Sequence, residues 1–318
     1  MQQKTPRIPS HDKRRIVTEA AEWFMTEFPG STSIEAAYDS ADWAAMAMPY
    51  IATPEHFFLA CRMSIMMIWV DDAAVGSNET RQAANVLLGH ELPRDSTSFT
   101  KKLASLMCEF SEISMVPENN AIYQQYLAGY FLPDAMAGSP TPGNYGHRVF
   151  DVCMVPFYTI TSDSHGRAMR ITEKFIEFGV YSTAIDNQAL SYAKEMDESD
   201  AQSVNELRLE PDDRKIFAAV SGMYDHYRQH CDSTGFDFFD IIAHQGRLGS
   251  ILWTLQSPRY GRILHNALSA ASRDGLVENL RRHVESRPGY YGYRTDRLQA
   301  SGPHRRDEPP PDRRMSCD

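Results

Sequence analysis

Apolar residues recur at helical spacing from about residue 11 to about residue 285, and proline and glycine gather between these segments. Runs that alternate apolar and polar residues, as half-buried β-strands do, do not organise the chain. The pattern predicts an all-α fold. We expect helices near residues 11–28, 34–48, 54–73, 79–90, 98–113, 118–131, 145–160, 163–197, 211–231, 236–257 and 261–285.

The domain organisation follows from where this periodicity stops. The segment 132–146 is the internal stretch richest in helix breakers, but an apolar helical pattern resumes directly after it. We therefore expect a turn within one domain that covers residues 1–297. Beyond it, residues 298–318 are rich in proline and arginine and have no periodicity, which predicts a disordered tail.

The composition of the chain limits the kinds of molecule that it is expected to bind. The chain has 318 residues, of which 42% are hydrophobic, enough for a large core. Its formal net charge of −10 argues against nucleic acid as a partner, because proteins that bind a phosphate backbone usually present a basic face. An anionic ligand would therefore need a local cationic site or a bound metal ion.

Cysteine usage and the N-terminus bear on the compartment. The five cysteines are widely spaced without a CxxC pair, which is typical of a reduced intracellular protein and argues against a zinc site. The polar N-terminus has no apolar core of a signal peptide, so we expect a cytoplasmic protein. The most apolar run, residues 57–70, is too short to cross a bilayer and contains Arg62, so we expect a buried helix and no stable membrane insertion.

One helical segment carries three oxygen donors on one face. Asn187, Ser191 and Glu195 are four residues apart, and each step of four residues advances by about 400° around a helix, a drift of about 40°. Amide, hydroxyl and carboxylate oxygens suit a hard cation such as Mg²⁺, whose remaining ligands are water or phosphate oxygens. A solvent-facing helix with the same spacing is the alternative interpretation.

A second acidic position closes the apolar helix near residues 54–73. Asp71 and Asp72 are adjacent carboxylates at the negative end of the helix dipole, where negative charge is unfavourable. We therefore expect a cationic group to offset them. A helix that simply ends at a water-exposed mouth is the alternative interpretation.

Further polar residues complete a candidate site. Together with the acidic positions, they describe a site for a metal-bound polyphosphate, because arginine, lysine and tyrosine donate hydrogen bonds to phosphate oxygens. Each of them taken singly would be a surface or salt-bridge residue. These residues are Arg148, Asp151, Lys194, Arg259 and Tyr260.

The order of these motifs resembles class I terpene cyclases, in particular the trichodiene synthase-like sesquiterpene synthases of fungi. The shared elements are DD at the end of an apolar helix, Arg148 39 residues before Asn187, the N-x-x-x-S-x-x-K-E pattern, and an RY pair that ends at Tyr260, 73 residues after Asn187. The match spans about residues 54–262. The resemblance implies a helical bundle with a central active-site cavity open at one end.

The resemblance also implies a Mg²⁺ cofactor and an assignment of metal ligands. Asp71 would bind one Mg²⁺ on one lip of the cavity, with Asp72 in support. Asn187, Ser191 and Glu195 would chelate another on the opposite lip. A cluster of three ions with the substrate's diphosphate is expected.

The remaining roles concern the diphosphate. Arg148 resembles the family's diphosphate sensor, and Asp151 resembles the residue that relays its engagement to the nearby helix break. Lys194, Arg259 and Tyr260 would donate hydrogen bonds to the diphosphate once the site closes. The expected enzyme is a lyase that ionises and cyclises farnesyl diphosphate, an isoprenoid substrate. The oligomeric state stays open, and a homodimer is compatible with a bundle of this kind.

Two departures and two alternatives accompany this expectation. Val75 stands where the family commonly has a further acid, and Gln188 stands where it usually has aspartate. We expect activity to survive both changes and product fidelity to be affected more than catalysis. A prenyl-chain elongating transferase would show two DDxxD elements, which this chain lacks. A non-catalytic helical relic of the family is the other alternative.

Overall fold

A computed structural model describes residues 8–72, 77–132, 150, 152–184, 186–187 and 238–260. Within these ranges the backbone forms helices joined by turns and loops, without a strand. The prediction of an all-α helical bundle is therefore confirmed for the part of the chain that the structure describes. The helices predicted at 211–231 and 261–285, the breaker-rich segment 133–146 and the tail 298–318 lie outside the described residues.

The helices begin where the sequence supplies helix-starting residues. Ser33 and Thr97 accept hydrogen bonds from the backbone N–H groups of Ala36 and Thr100, and Pro117 opens a third helix. The helices are α1 (Ser10–Glu27), α2 (Ile34–Ala47), α3 (Pro54–Asp72), α4 (Ser77–Leu87), α5 (Ser98–Cys108), α6 (Phe110–Ile113), α7 (Pro117–Phe131), α8 (Met154–Asp163), α9 (Glu173–Phe175), a π-helix (Ile176–Tyr181) and α10 (Phe238–Gln256).

Two predicted helix boundaries are wrong. The helix expected at 145–160 is not continuous: Phe150 is helical, but the helix is interrupted at residues 152–153, where Cys153 has a left-handed backbone with φ 46°, and α8 begins at Met154. The helix expected to start at residue 163 instead ends there, and the chain turns through Gly166, at φ 64°, before α9 begins.

The buried core extends through α1, α2, α3, α5, α7 and α8, and α10 packs against α2. Phe24, Phe57 and Met66 are fully buried in it. α10 approaches the α2 C-terminus closely at Gly249, where an added Cβ would lie 2.2 Å from the carbonyl oxygen of Met46. Two tryptophan indoles donate hydrogen bonds between α2 and α10. Trp253 donates to the carbonyl of Asp39 at 2.8 Å, and Trp43 donates to the hydroxyl of Ser250 at 3.1 Å.

The apolar run 57–70 lies in α3, where much of it is buried, as its sequence predicts. Arg62 is tolerated inside it because the guanidinium stacks on the rings of Phe58 and Trp23, 4.2 and 5.0 Å from the ring centroids, and pairs with Glu109. Within the described ranges, no helix combines the length and the apolar composition that crossing a bilayer requires.

A buried carboxylate at the end of α8 joins α3, α8 and the start of α7. Asp163 is fully buried and accepts hydrogen bonds at 2.7–3.1 Å. Burial alone would raise the pKa of Asp163, but these hydrogen bonds outweigh it and the pKa is lowered. The donors are His56 Nε2, the Ser114 hydroxyl, the backbone N–H groups of Met115 and Val116, and Asn119 Nδ2.

Candidate functional site

The structure brings together two of the predicted site residues from opposite parts of the chain. Asp71 lies in the last turn of α3, and Arg259 lies just beyond the end of α10. The guanidinium Nη2 of Arg259 donates to Oδ2 of Asp71 at 2.7 Å. The Asp71 side chain is 61% exposed and the Arg259 side chain 15% exposed, so the pair lies at the surface with the arginine stem covered.

The contact with Arg259 offsets the negative charge of Asp71 at the end of α3. A carboxylate in the last helical turn faces the negative end of the helix dipole, which destabilises it. The sequence predicts that a cation offsets this charge, and the position of Arg259 confirms that prediction for Asp71. For Asp72 the structure describes the helical backbone and not the side chain.

The backbone after α10 fixes the position of Arg259. The chain leaves the helix at Ser257, whose hydroxyl oxygen accepts from the Arg259 N–H at 3.2 Å and whose hydroxyl hydrogen bonds the carboxylate of Asp39 on α2. Tyr260 is buried, and its ring packs edge-on to Trp253, with the centroids 5.7 Å apart. Arginine and tyrosine of the RY pair are therefore anchored to the core.

The RY pair also makes a direct contact. Nη1 of Arg259 donates to the Tyr260 hydroxyl at 3.2 Å, and its guanidinium carbon lies 5.3 Å from the centroid of the Tyr260 ring. Tyr260 thereby helps to hold the guanidinium plane that contacts Asp71. Together, Asp71, Arg259 and Tyr260 place a carboxylate oxygen beside fixed hydrogen-bond donors.

Asn187, the first residue of the predicted Asn/Ser/Glu column, follows a buried ion pair. The Asn187 side chain is exposed, whereas the preceding residue, Asp186, is buried. Arg247 of α10 binds the Asp186 carboxylate through Nε and through Nη2, the latter at 3.1 Å from Oδ1. Burial raises the pKa of Asp186, and the positive charge and hydrogen bonds of Arg247 counteract that rise.

The helical segment that leads to Asn187 is irregular. It passes from α9 into the π-helix, and helical backbone follows at residues 182–184 and 186–187. The Tyr158 hydroxyl lies 3.0 Å from the carbonyl oxygen of Gly179 and 3.2 Å from that of Ala243, so it bridges the π-helix to α10. A π-helical turn rotates all the residues after it, and such turns are frequent at functional sites.

Several predicted site residues lie outside the described residues, so their placement stays a prediction. They are Arg148, Asp151, Ser191, Lys194 and Glu195. The cavity and the opposite lip of the expected site depend on these residues. The relation between Asp71 and the Asn/Ser/Glu column therefore stays a prediction.

The described donors fit the chemistry of Mg²⁺. The Asp71 carboxylate is accessible and supplies hard oxygen ligands, and the exposed Asn187 supplies an amide oxygen. Among the residues that the structure describes, no three His, Cys, Asp or Glu side chains are grouped to hold a metal ion. The expected set takes ligands from two lips of a cavity, and the side chains of Asp72, Ser191 and Glu195 are not among those described.

The motif pattern missed four residues that support this site. Asp39 and Ser257 hold the turn that presents Arg259, and Asp186 and Arg247 hold the turn that presents Asn187. One signal was available in the sequence. Asp186 follows the apolar residues Ala184 and Ile185, and an acid in such a context suggests a buried partner.

Comparison with known proteins leaves the family open. No protein-family model matches the chain, and no curated protein sequence does. Among solved structures, the crystal structure of the SVS_A2 protein from ancestral sequence reconstruction is similar at a TM-score of 0.44 and 16% identity, over 80% of this chain and 90% of that chain. A mutant of SVS_A2 has a TM-score of 0.44 and 13% identity, over 86% of this chain and 97% of that chain. These likenesses are too distant to bear on function.

Proposed function

We propose that this chain is a Mg²⁺-dependent sesquiterpene cyclase of the class I terpene synthase type, a cytoplasmic lyase whose substrate is farnesyl diphosphate. The observation that carries the proposal is the contact between Arg259 and Asp71. It joins the DD motif to the RY motif at one end of the bundle, as a diphosphate site built from those motifs requires. The order of the other motifs along the chain supports the same assignment.

The proposed reaction begins with cleavage of the bond between C1 of the substrate and its diphosphate oxygen. The diphosphate departs with the bonding electron pair, and an allylic carbocation remains. Arg259 and Tyr260 would donate hydrogen bonds to the departing oxygens, which stabilises the charge that develops there. When bound, Mg²⁺ supplies further charge neutralisation on the same oxygens. Asp71, with Asp72 in support, would hold one Mg²⁺ ion, and Asn187, with Ser191 and Glu195, would hold another.

The cation then closes a ring when an internal double bond of the substrate donates its π electrons. Loss of a proton from carbon to a basic oxygen, such as one on the diphosphate, ends the sequence as a hydrocarbon. A dry cavity is required because water would quench the cation. Aromatic faces would stabilise it through cation–π contacts.

The test is magnesium-dependent release of diphosphate from farnesyl diphosphate, with gas-chromatographic analysis of the volatile products. The proposal predicts equimolar diphosphate and C15 hydrocarbon in Mg²⁺, and neither product when EDTA removes the metal. Geranyl and geranylgeranyl diphosphates, tested alone, report the preferred chain length. Asp71→Asn, which keeps the shape of the side chain and removes its charge, is the matched inactive control.

The alternatives give different results in the same assay. A prenyl-chain elongating transferase would release diphosphate only when isopentenyl diphosphate is added, and its product would be a longer diphosphate. A non-catalytic relic would release none from C10, C15 or C20 substrates. Either result would contradict the proposed function.

A further inference from the structure

The buried ion pair between Asp186 and Arg247 has no part in the motifs discussed so far. The two side chains are 4% and 8% exposed, and they come from segments 61 residues apart. Placing two charges in a protein interior costs several kcal/mol of desolvation per ion, on the order of what their attraction returns. A pair of well-packed apolar side chains would often stabilise the same contact equally well.

The position of the Asp186–Arg247 ion pair suggests a role other than stabilising the fold. Asp186 is the residue directly before Asn187, and neighbouring residues of a helix project about 100° apart. A short aspartate side chain that accepts two hydrogen bonds from one planar guanidinium allows little rotation of its helical turn. The helical turn that carries Asn187 is therefore held at a fixed position relative to α10.

The need for such an anchor follows from the irregular helix before it. The π-helix Ile176–Tyr181 changes the rotational phase of every later residue in the segment. Gly179 packs against α10 so closely that an added Cβ would lie 2.9 Å from the Cβ of Ala243. The bridge from Tyr158 fixes the π-helix, and the ion pair fixes the turn that follows it.

The same helix that supplies Arg247 also leads to the other part of the proposed site. α10 ends at Gln256, and the Ser257 turn that holds Arg259 follows directly. Arg247 and Arg259 therefore connect the turn carrying Asn187 and the end of α3 carrying Asp71 to one rigid element.

We propose that Asp186 and Arg247 are positioning residues that orient Asn187 as a ligand for a divalent cation, so that their buried contact sets metal affinity rather than only stability. This inference rests on the proposed function. Partners that orient metal ligands change affinity by about 10- to 100-fold when they are removed. Asp186 and Arg247 touch neither metal nor substrate themselves.

The test separates orientation from stability with the apolar double variant Asp186→Leu/Arg247→Met. Binding of Mn²⁺ in the presence of inorganic diphosphate is followed by the electron paramagnetic resonance signal of free Mn²⁺, at a temperature where circular dichroism shows each protein folded. We expect the double variant to unfold within a few degrees of the wild type and to bind Mn²⁺ at least about tenfold more weakly. Arg247→Lys keeps the positive charge but loses the planar guanidinium that donates two hydrogen bonds to Asp186. This variant should bind Mn²⁺ with an intermediate affinity.

A matched control removes a second arginine of equal burial. Arg62 is 7% exposed, as Arg247 is, and Arg62→Met/Glu109→Leu removes its ion pair with Glu109, which lies in neither proposed motif. This control should keep the Mn²⁺ affinity of the wild type. A second readout is the Mg²⁺ concentration for half-maximal diphosphate release, which should rise about tenfold in the Asp186/Arg247 variant, with activity largely recovered at high Mg²⁺.

The outcomes distinguish this inference from the function on which it rests. Wild-type Mn²⁺ affinity in the double variant would overturn the positioning role and leave the proposed function intact. Absence of Mn²⁺ binding by the wild type would overturn both. If the apolar variant does not fold, Asp186→Asn keeps the shape of the side chain and gives the same comparison, with the same outcomes.

Discussion

The guanidinium of Arg259 and the carboxylate of Asp71 are in contact at 2.7 Å although 188 residues separate them in the sequence. The contact links the end of α3 to the turn after α10. In the proposed enzyme, a diphosphate carries more negative charge than one carboxylate, so it would compete with Asp71 for this arginine.

Neutralising either partner of this contact should remove activity and leave the fold intact. We expect Asp71→Asn and Arg259→Gln each to lower kcat/KM for farnesyl diphosphate by about 10²-fold or more, as loss of one group that stabilises developing charge does. In Asp71→Asn the free energy of unfolding should change by less than about 1 kcal/mol, because the Asp71 side chain is largely exposed. Steady-state kinetics and urea denaturation measure the two effects.

A surface ion pair provides the control for these variants. Arg15 donates to Glu19 at 2.6 Å within α1, and Arg15→Gln breaks an exposed pair far from both motifs in sequence. This variant should keep wild-type kinetics. Loss of stability by several kcal/mol in Asp71→Asn, with unchanged turnover of the folded fraction, would instead assign the contact a structural role.

Asp163 should be the most sensitive buried polar position outside the site. Asp163→Asn places an amide N–H₂ opposite hydrogen-bond donors that include Asn119 Nδ2 and the Val116 N–H. We expect a loss of about 3 kcal/mol or more in the free energy of unfolding, because buried donors are left without an acceptor. Thermal and urea unfolding followed by circular dichroism measure it.

The pH dependence of this loss identifies the carboxylate as its source. The pKa of Asp163 is lowered in the folded protein, so the unfolded chain takes up the proton first as the pH falls. The advantage of the wild type over Asp163→Asn should be complete at neutral pH. It should shrink as the pH falls below about 4, the ordinary range of an aspartate pKa. A difference that is constant from pH 7 to pH 3 would contradict this explanation.

Lys13 should make stability depend on pH in the alkaline range. This lysine is buried, with its ammonium group donating to the carbonyl of Pro49 and lying 5.3 Å from the centroid of the Phe57 ring. Burial lowers the pKa of Lys13 from 10.5 to about 8. Between those values the unfolded chain binds the proton more tightly than the folded protein, so stability rises with pH.

The comparison that isolates this effect is the wild type against Lys13→Met. The difference in unfolding free energy should move in favour of the wild type by about 3 kcal/mol between pH 8 and pH 10.5, at about 1.4 kcal/mol per pKa unit. Buried Tyr158, whose pKa is raised by burial, lowers alkaline stability in both proteins, and its contribution cancels to first order. The pKa of Cys61 is also raised by burial, but Cys61 interacts with the charge of Lys13, so the measured difference includes this coupling. A difference that does not change over this range would show that Lys13 titrates normally.

Gly249 should tolerate no side chain. Helix propensity alone favours Gly→Ala in a helix interior by about 1 kcal/mol. A Cβ at Gly249 would, however, lie 2.2 Å from the Met46 carbonyl oxygen and 2.5 Å from Cα of Ala47, and backbone atoms cannot move aside cheaply. We expect Gly249→Ala to destabilise by at least about 2 kcal/mol, measured by urea denaturation. An increase in stability would contradict the close packing of α10 on α2.

The sequence predicted the correct start of a helix where the apolar periodicity begins beside a residue that favours a helix N-terminus. α2 and α3 start at the predicted residues, because Ser33 and Pro54 mark their beginnings. α8 was misplaced because Cys153 takes a left-handed conformation that its residue type does not announce. Pro156 could have shown the true start, since proline is tolerated in the first turn and not in the interior predicted for it.

The site was predictable only as separate motifs. The charge at the end of α3 predicts a cation, but nothing in the local sequence selects Arg259 over other arginines, because their contact depends on how α10 packs against α2. The π-helix before Asn187 has no sequence signature of its own. Asp186 and Arg247 stayed unrecognised because a buried ion pair between distant segments is a property of the fold rather than of either segment.

The most direct test of the proposed function is diffraction from crystals grown with Mn²⁺ and inorganic diphosphate, with anomalous data at the manganese absorption edge. The account predicts anomalous peaks within about 2.0–2.6 Å of oxygens of Asp71 and Asn187, and a single diphosphate between them that accepts hydrogen bonds from Arg259. Metal and diphosphate absent from Asp71, or Asp71 and Asn187 facing separate surfaces of the molecule, would contradict it.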